Sequence, residues 1–599
     1  MFLQSDRFGV SVSRLLTVYI TVSTVEDVKE TMTDTPTHAR FELRTRQLGA
    51  LPIVDWFCDR LGLGGLLEAV VPHDDARLRL APAAAIGVLV RNLVLAREPV
   101  YALGRWAEPF DPGPLGLAEG EAELLNDDRV GRMLTRLFDA DRATLLTRLV
   151  LDALARFGID CSQLHNDSTS VTLTGRYSGA DGRARGGKAT AAITFGHNKD
   201  YRPDLKQLVW ILTVSSDGAV PIAHRVVDGN TSDDVTHVET WDQLVALLGR
   251  TDFLYVADCK LATRDTMGHI HRHRGRFVSV LPASRKEDNT FRNWVVDHEP
   301  NWVEAARRPG PRLGDPDDVW HTCEAPWPSA EGHRVVWVRS SAKTGYDAAA
   351  REDRIARGVA ALDELNQRLA SPKTRMKTAA AAEQAAAAAL QRIGATRWID
   401  VTVEERVEER FRQEKRGRPG TETRYHKITR THHRIRYSVD EARVARDAAS
   451  DGCYPLISND RDLTGTELLA AYKYQPNLEK RHAQLKGTQL VAPVFLHDPA
   501  RIEALLCCHF IAMLVHALIE RQTRRAMKTK GIKHLSLYPE DRGCPAPTAA
   551  RVLDIFDGLA RHHLIDHHGR LVQTFQPQLT ELQQLVLDLL DIPHNVYTQ

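Results

Sequence analysis

The segments "CSQLHNDSTSVTLTG" (161–175) and "LVWILTVSSDGAVPIAHRVV" (208–227) decide the fold. The first mixes β-branched residues with partial alternation, which predicts a strand. In the second, two apolar runs flank the turn "SSDG", and this pattern predicts a β-hairpin. A helix at about 232–249 and two strands, "FLYVAD" (253–258) and "RFVSVLP" (276–282), follow along the chain. We therefore predict an α/β fold built around one sheet.

Patterns elsewhere divide the chain into regions. Apolar side chains recur at three- and four-residue steps before the first strand, which predicts helices, whereas the first residues carry no such pattern. After the last of these strands, a helical hairpin precedes two highly charged strands, which predicts an α+β insertion. The predicted regions are a disordered tail (1–36), a helical N-terminal domain (37–158), the first part of a core (159–285), the insertion (286–451), the second part of the core (452–525) and a small helical C-terminal region (526–599).

Composition argues against several classes of protein. With 599 residues, 43% hydrophobic and 26% charged, we expect a globular protein of several domains. The net charge is +1, so a polyanion would have to bind local patches of basic residues. The eight cysteines are scattered without a CxxC pair, so we expect neither zinc nor disulfides, and a cytoplasmic location. We find no apolar run long enough to span a bilayer and no GxxxxGK[ST] loop, and we expect no membrane partner and no ATP-driven activity.

Three acidic residues have positions that point to chemistry. Asp167 lies in the first strand, Asp258 ends "FLYVAD", and Glu479 lies in "YKYQPNLEKRHAQLK" (472–486), a predicted helix. Each acid alone has a simpler reading as a turn or cap residue. Carboxylates that converge at the ends of buried strands repel one another, and a divalent cation relieves this repulsion. Such oxygen ligands favour Mg²⁺ or Mn²⁺, and two of these ions support in-line displacement at phosphorus.

Six motifs in a fixed order give the chain a family resemblance. They are "NDSTSVTLTG", "GHNKDYRPDLKQLVWIL", "DGNTSD", "YVADCK", "DGCYPLISN" and "YKYQPNLEKRHAQLK". With them, residues 40–525 resemble bacterial insertion-sequence transposases of the DDE type, in the insertion-sequence-four-like superfamily with a Tyr-Arg-Glu-Lys signature. The resemblance implies a ribonuclease-H-like core interrupted by a large α+β insertion, with helical N-terminal and C-terminal regions. It also implies that the N-terminal helices recognise DNA ends.

The resemblance also assigns the catalytic residues. Asp167, Asp258 and Glu479 match the three acids that do the chemistry in this family. The same three residues would be the ligands of two Mg²⁺ ions, or two Mn²⁺ ions. The implied substrate is double-stranded DNA, and the implied working form is a homodimer that holds a pair of element ends.

The signature spaces its Tyr, Arg, Glu and Lys by two, three and six residues. Counted from Glu479, its Tyr falls at Tyr472 and its Lys at Lys486, but Gln475 stands in the Arg position. Because Glu479 and Lys486 are seven residues apart, both side chains would share one face of a helix. Pro476 suits a first turn, so we predict that the helix begins near residue 476, after Tyr472 and Gln475.

Basic residues mark where DNA would bind. The segment "RQEKRGRPGTETRYHKITRTHHRIR" (412–436) interleaves cationic side chains with Tyr425 and histidines, which favours contact with a phosphate backbone. The alternative is a charged hairpin balanced by acids such as Glu405, Glu408 and Glu409. The predicted DNA-contacting residues are Lys199, Arg202, Arg424, Lys427, Arg430 and Arg434, with Tyr472 and Lys486 of the signature.

Together these features predict a metal-dependent DNA transposase of the bacterial cytoplasm. It would bind the inverted-repeat ends of its insertion sequence, cleave strands there and transfer the freed 3′-hydroxyls to target DNA. Two alternatives stay open. One is a catalytically decayed or domesticated DNA-binding protein, which Gln475 keeps possible. The other is a ribonuclease-H-like nuclease that cuts without preference for particular ends.

Overall fold

The structure is a computed structural model that describes residues 41–71, 73–74, 77–185, 187–310, 312, 314–488 and 496–598. The tail predicted at 1–36 lies outside these residues. The chain divides into two compact units, one of residues up to Arg44 with His563–Thr574, and one of Thr45–His562 with Phe575–Gln599.

The N-terminal part is helical apart from one strand, as its apolar periodicity predicts. Side chains cap two of the helices, since Asn126 accepts a hydrogen bond from the N–H of Arg129, and Asp141 from that of Thr144. Gly158, in the left-handed region at φ 57°, ends the last helix before the first strand of the core. The elements are β1 (Glu42–Gln47), α1 (Leu51–Arg60), α2 (Leu63–Val70), α3 (Pro82–Leu95), α4 (Leu103–Ala107), α5 (Asp127–Asp139) and α6 (Arg142–Phe157).

The first part of the core contains the predicted hairpin and the two predicted strands after it. Antiparallel pairing joins β2 to β5 and β5 to β6, whereas β2 pairs in parallel with β7, and β7 with β8. Nearly all of β5 is buried, as expected of an apolar run covered on both faces. The elements are β2 (Gln163–Leu173), β3 (Ala184–Arg185), β4 (Lys188–Ala189), β5 (Lys206–Ser215), β6 (Pro221–Val227), α7 (His237–Leu248), β7 (Leu254–Val256), α8 (Arg264–Arg272) and β8 (Arg276–Val280).

The segment predicted as a separate insertion begins with a helix and three strands, and these strands belong to the central sheet. Its elements are α9 (Lys286–Asp297), β9 (Val303–Arg308), β10 (Asp318–Glu324), β11 (Arg334–Ser340), α10 (Ser341–Ala370), α11 (Ala379–Ile393), β12 (Ile399–Gln413), β13 (Tyr425–Val439) and α12 (Glu441–Ala448).

The central sheet has the strand order β6-β5-β2-β7-β8-β14-β11-β10-β9, where β14 is Cys453–Ser458. Antiparallel pairing of β11 with β14 satisfies the backbone groups of an edge that would otherwise be open. Val336 and Trp337 of β11 are buried in this sheet. The predicted boundary at residue 286 therefore does not coincide with the end of the sheet.

The remainder of the insertion is a helical hairpin beneath a long two-stranded ribbon. Leu362 and Leu365 of α10 pack against Leu390 of α11. Trp398 and Ile435, from the base of the β12–β13 ribbon, belong to the same buried cluster. This agrees with the predicted helical hairpin and the two strands after it.

The second part of the core and the C-terminal region mix helices with a second hairpin. The elements after β14 are α13 (Gly465–Lys473), α14 (Gln475–Ala483), α15 (Pro499–Thr529), α16 (Ala549–Asp554), β15 (Ala560–Ile565), β16 (Leu571–Phe575) and α17 (Glu581–Leu590). A π-helical turn, Gln484–Thr488, follows α14. The region predicted as small and helical after residue 526 contains α16 and α17, but it also contains β15 and β16, which form a three-stranded sheet in the order β1-β15-β16.

Helix α15 is long and apolar enough to cross a membrane by length and composition, although we identified no such run from the sequence. Its apolar window has a mean hydropathy of 2.1 and is wholly buried inside the protein. The helix packs against α3, α5 and α17. These contacts are those of a core helix, which is apolar all round because it is buried all round.

Candidate active site

Asp167 lies near the centre of β2 between a cation and a histidine. Its Oδ1 is 3.5 Å from the ammonium of Lys199, and its Oδ2 is 3.6 Å from Nδ1 of His482 on α14. Burial raises the pKa of Asp167 to about 6; Lys199 opposes this rise, and the carboxylates of Asp258 and Asp233 add to it. The carboxylate of Asp167 therefore lies in an environment in which its negative charge is stabilised only by a neighbouring cation.

Asp258 is the second residue after β7 and lies in line with Asp167. Because β2 and β7 are parallel with His165 opposite Val256, each aspartate comes two residues after a paired position. The carboxylate of Asp258 accepts a hydrogen bond from the N–H of Lys260 at 3.0 Å, which fixes the turn after the strand. Asp167, within β2, and Asp258, just after β7, are thus at the same level of the sheet.

Glu479 is exposed on α14, which begins at Gln475, one residue before the predicted start. Tyr472, near the end of α13, lies close enough to all three acids for their charges to affect its phenol. Burial raises the pKa of the Tyr472 phenol to about 12, and the charges of Asp258, Glu479 and Asp167 all add to the rise. All three predicted acids therefore act on one half-buried phenol.

Gln475 occupies the Arg position of the signature and ties α14 to β2. Its Oε1 is 2.9 Å from Nδ1 of His165, and its Nε2 donates to the carbonyl of Asn166 at 3.0 Å. The side chain is buried, and both ends of the amide are paired. An arginine at this position would bury a positive charge next to hydrogen-bonding groups that the neutral amide of Gln475 already satisfies. The departure from the signature therefore has a structural reason and still positions the helix that carries Glu479.

Asp233, in the motif "DGNTSD", is a fourth acid that we did not select from the sequence. Its carboxylate accepts a hydrogen bond from the hydroxyl of Ser168 and lies 3.1 Å from the ammonium of Lys199. Lys199 also donates to the carbonyl of Ser168 at 2.7 Å. The contact depends on the fold, since 65 residues separate Ser168 from Asp233, but the motif itself was a signal that could have marked it.

Lys199 is held by these acids. Burial alone would lower the pKa of Lys199, but the carboxylates of Asp167 and Asp233 raise it overall. Its predicted contact with DNA would compete with two ion pairs. In this structure the ammonium instead neutralises the carboxylates that a divalent cation would also attract.

The loop at 196–204 places this lysine and pairs with the end of α14. Asp200 of the loop lies 2.5 Å from the ammonium of Lys486 and accepts a hydrogen bond from the hydroxyl of Thr172. Lys486 lies in the π-helical turn. Tyr201 is 92% exposed at φ 58°, an uncommon backbone conformation for a tyrosine. Arg202 forms a two-point ion pair with Asp204.

The acidic side chains of the candidate site offer mainly carboxylate oxygens, which are the ligands that a hard divalent cation prefers. They are not assembled as a finished metal site: within the described ranges, no group of three His, Cys, Asp or Glu side chains is placed to hold a metal ion. Displacement of Lys199 from Asp167 would be required to complete one. The residues available to hold such an ion are Asp167, Asp258 and Glu479.

The β12–β13 ribbon carries the other predicted DNA contacts. Acids on β12 neutralise part of it, since Lys427 pairs with Glu409 at 2.7 Å and Arg436 with Glu404 at 2.9 Å. The other predicted cations of the ribbon are Arg424, Arg430 and Arg434. None of these three forms an ion pair with any residue that the structure describes. In the ribbon, glutamates thus neutralise some of the cations, whereas other cations have no ion-pair partner among the described residues.

Comparison with known proteins gives a match over part of the chain. The family described as "Domain of unknown function (DUF4277)" matches residues 43–151, which is the helical N-terminal part. No curated protein matches the chain. Among solved structures, the cryo-EM structure of a piggyBac transposase synaptic complex with hairpin DNA aligns over 84% of this chain and 79% of that chain. The identity is 9% and the TM-score 0.35, a likeness too weak to carry an argument about function.

Proposed function

We propose that this protein is a DNA transposase of the DDE type that cuts the ends of its own insertion sequence and joins them to target DNA. The observation that supports this most is the placement of two aspartates on adjacent parallel strands, with a glutamate on a helix tied to the same strand. The central strands run β6-β5-β2-β7-β8, the first three antiparallel and the last three parallel. This is the order and direction expected of a ribonuclease-H-like core.

Asp167, Asp258 and Glu479 would hold two Mg²⁺ or Mn²⁺ ions. When bound, such ions activate an attacking oxygen and stabilise the leaving oxygen during displacement at phosphorus. The protein's own residues position the acids. Gln475 fixes the start of α14 against β2, and the N–H of Lys260 holds the carboxylate of Asp258.

His482 contributes a neutral ring beside Asp167. Burial lowers its pKa to about 3, with the nearby cations Lys199 and Lys486 acting in the same direction. An uncharged ring does not compete with a metal ion for the charge of Asp167. Its Nδ1 lies 3.6 Å from Oδ2 of Asp167, so the ring packs beside that carboxylate.

Double-stranded DNA is the proposed substrate, bound by a homodimer in the bacterial cytoplasm. Support for DNA binding comes from the unpaired cations of the β12–β13 ribbon and from the exposed Phe411 and Tyr425 among them. The N-terminal helices are proposed to recognise the element ends. Lys486 and Tyr472, next to the acids, are proposed to contact the strand that is cut.

The proposal is tested with a duplex that carries the DNA flanking this gene, in Mg²⁺ or Mn²⁺. Wild type should nick at the boundary of the inverted repeat, whereas Asp258→Asn should bind the duplex but fail to nick it. Retained cleavage by Asp258→Asn would exclude the assigned site. Binding without nicking by wild type would favour a decayed DNA-binding protein, and equal nicking of a scrambled duplex would favour a general nuclease.

A further inference from the structure

A cavity of about 890 Å³ lies beside α14. Its walls come from the end of α3, the β5–β6 turn, α14, the middle of α15 and the beginning of α16. We call it the basic cavity and define it by Arg97, Lys480, Arg481, His516, Glu520 and Arg524. Its volume falls within the range of pockets that take small-molecule ligands.

Arg481 of the basic cavity is on a different side of α14 from Glu479. The two are two residues apart, which places their side chains about 200° apart around a helix. Glu479 is exposed, whereas Arg481 is buried and donates to the carbonyl of Ala219 at 2.9 Å. None of the three acids is among the described residues that line the basic cavity.

Positive charge in the basic cavity exceeds negative charge. Its only carboxylate among the described lining residues, Glu520, lies 2.9 Å from Arg481 and 3.5 Å from Arg524. Glu520 also accepts a hydrogen bond from the N–H of Ala549 at 3.2 Å. One carboxylate against four cations leaves an excess of three positive charges. His516 adds none, because its Nε2 is 3.0 Å from the carbonyl of Val94 and the ring is buried.

Arg97 is the clearest sign of a missing ligand. Its Nε is buried, and no hydrogen-bond acceptor for it is found in the described part of the chain. Its φ of 61° belongs to the end of α3, where the N–H of Arg97 donates to the carbonyl of Asn92 at 2.8 Å. An unsatisfied buried donor has a cost, which an acceptor would remove. Here that donor lies at the wall of a basic cavity.

We infer that the basic cavity binds phosphate groups. A phosphate offers several anionic acceptors to guanidinium forks, so it would satisfy Arg97 and balance the excess charge contributed by Lys480 and Arg524. The phosphates come either from a free mononucleotide or from the backbone of a DNA strand. The inference stands apart from the proposed catalysis, since it uses none of the three acids.

The test is titration of the full-length protein with two probes, dAMP and an eight-nucleotide oligo(dT), followed by calorimetry. The variants are Arg97→Gln and Lys480→Gln, neither of which breaks the pairing of Glu520 with Arg481. The matched control is Arg357→Gln, on the exposed face of α10. We expect binding of at least one probe, weakened at least about tenfold in both cavity variants and unchanged in the control. Thermal unfolding of each variant confirms that it is folded.

The two probes distinguish the sources. Binding of dAMP that depends on Arg97 and Lys480 identifies a free nucleotide as sufficient. Oligonucleotide binding with that dependence, and no dAMP binding, identifies a DNA backbone. The inference is overturned if neither probe binds, or if Arg97→Gln and Lys480→Gln bind both probes as wild type does. Loss of nicking in Asp258→Asn has no bearing on either result, so this test and that of the transposase proposal fail independently.

Discussion

At the scale of single residues, two carboxylates of the candidate site, Asp167 and Asp233, share the ammonium of Lys199. The acids Asp167, Asp258 and Glu479 could be selected from the sequence, because a predicted strand, the end of another strand and the start of a helix mark them. The motif "DGNTSD" was a signal for Asp233, but its contacts with Ser168 and Lys199 depend on the fold, which no local pattern encodes.

Replacement of Lys199 tests whether its ammonium neutralises the acids of the candidate site. In Lys199→Met, Asp167 and Asp233 lose their ion pairs, and a divalent cation no longer competes with an ammonium. We expect Mn²⁺ to bind about tenfold more tightly, which corresponds to about 1.4 kcal/mol. Electron paramagnetic resonance of free Mn²⁺ measures this. Lys206→Met is the control, because Lys206 donates to the carbonyl of Arg176 and forms no ion pair with an acid in the described part of the chain. Equal or weaker Mn²⁺ binding by Lys199→Met would contradict the account.

The raised pKa of Asp167 predicts a pH-dependent stability in metal-free protein. Because the folded-state pKa, about 6, is above the ordinary value of 3.8, ionisation of Asp167 lowers the free energy of unfolding as pH rises between these values. Asp167→Asn removes that loss. In chelator, we expect the variant to be about 3 kcal/mol more stable than wild type at pH 7.5 and to lose this advantage below pH 4. Urea unfolding at both pH values measures the difference, and a variant less stable at pH 7.5 would show that Asp167 is not strained by its burial.

At the scale of elements, the local pattern predicted most strands and helices but not all of their pairings. The β5–β6 hairpin was predictable because two apolar runs flank a turn. Pairing of β11 with β14 was not, because more than a hundred residues separate the strands. The β15–β16 hairpin was missed since its strands are short and only partly buried, so alternation is weak there.

The β12–β13 ribbon offers a matched comparison between unpaired and paired cations. Arg430→Gln with Arg434→Gln removes two cations without an ion pair to the described residues, and Lys427→Gln with Arg436→Gln removes two that pair with glutamates. We expect the first double variant to weaken binding to duplex DNA and to reduce the slope of log affinity against log salt by about 2. The second should change the slope much less. Fluorescence anisotropy across a salt series measures both, and equal slopes would mean that the ribbon does not contact phosphates.

At the scale of the whole molecule, one buried helix joins the N-terminal helices to the core. Helix α15 packs against α3, α5 and β6, so the predicted domain boundaries at residues 158 and 525 lie within a shared hydrophobic core. Sequence periodicity could identify the helix but not its partners, because an element that is apolar all round has no face to indicate them.

Shortening a buried side chain of α15 tests whether the helix lies in the core. Leu514 is fully buried, and Leu514→Ala should lower the free energy of unfolding by about 3 kcal/mol, since it leaves a cavity. Leu151→Ala, on α6, removes the same atoms from a side chain that is 42% exposed and should cost less than about 1 kcal/mol. Urea unfolding compares them. Similar values for the two variants would contradict the placement of α15 in the core.

The central claim is that Asp167, Asp258 and Glu479 form one metal-dependent centre for cutting DNA. The most direct measurement is strand nicking by wild type and Glu479→Ala on a labelled duplex from the DNA flanking this gene, with Mg²⁺ and with chelator. The account predicts nicks at the repeat boundary for wild type in Mg²⁺ alone, and none for the variant under either condition. Nicking by Glu479→Ala at the wild-type rate, or by wild type in chelator, would contradict it.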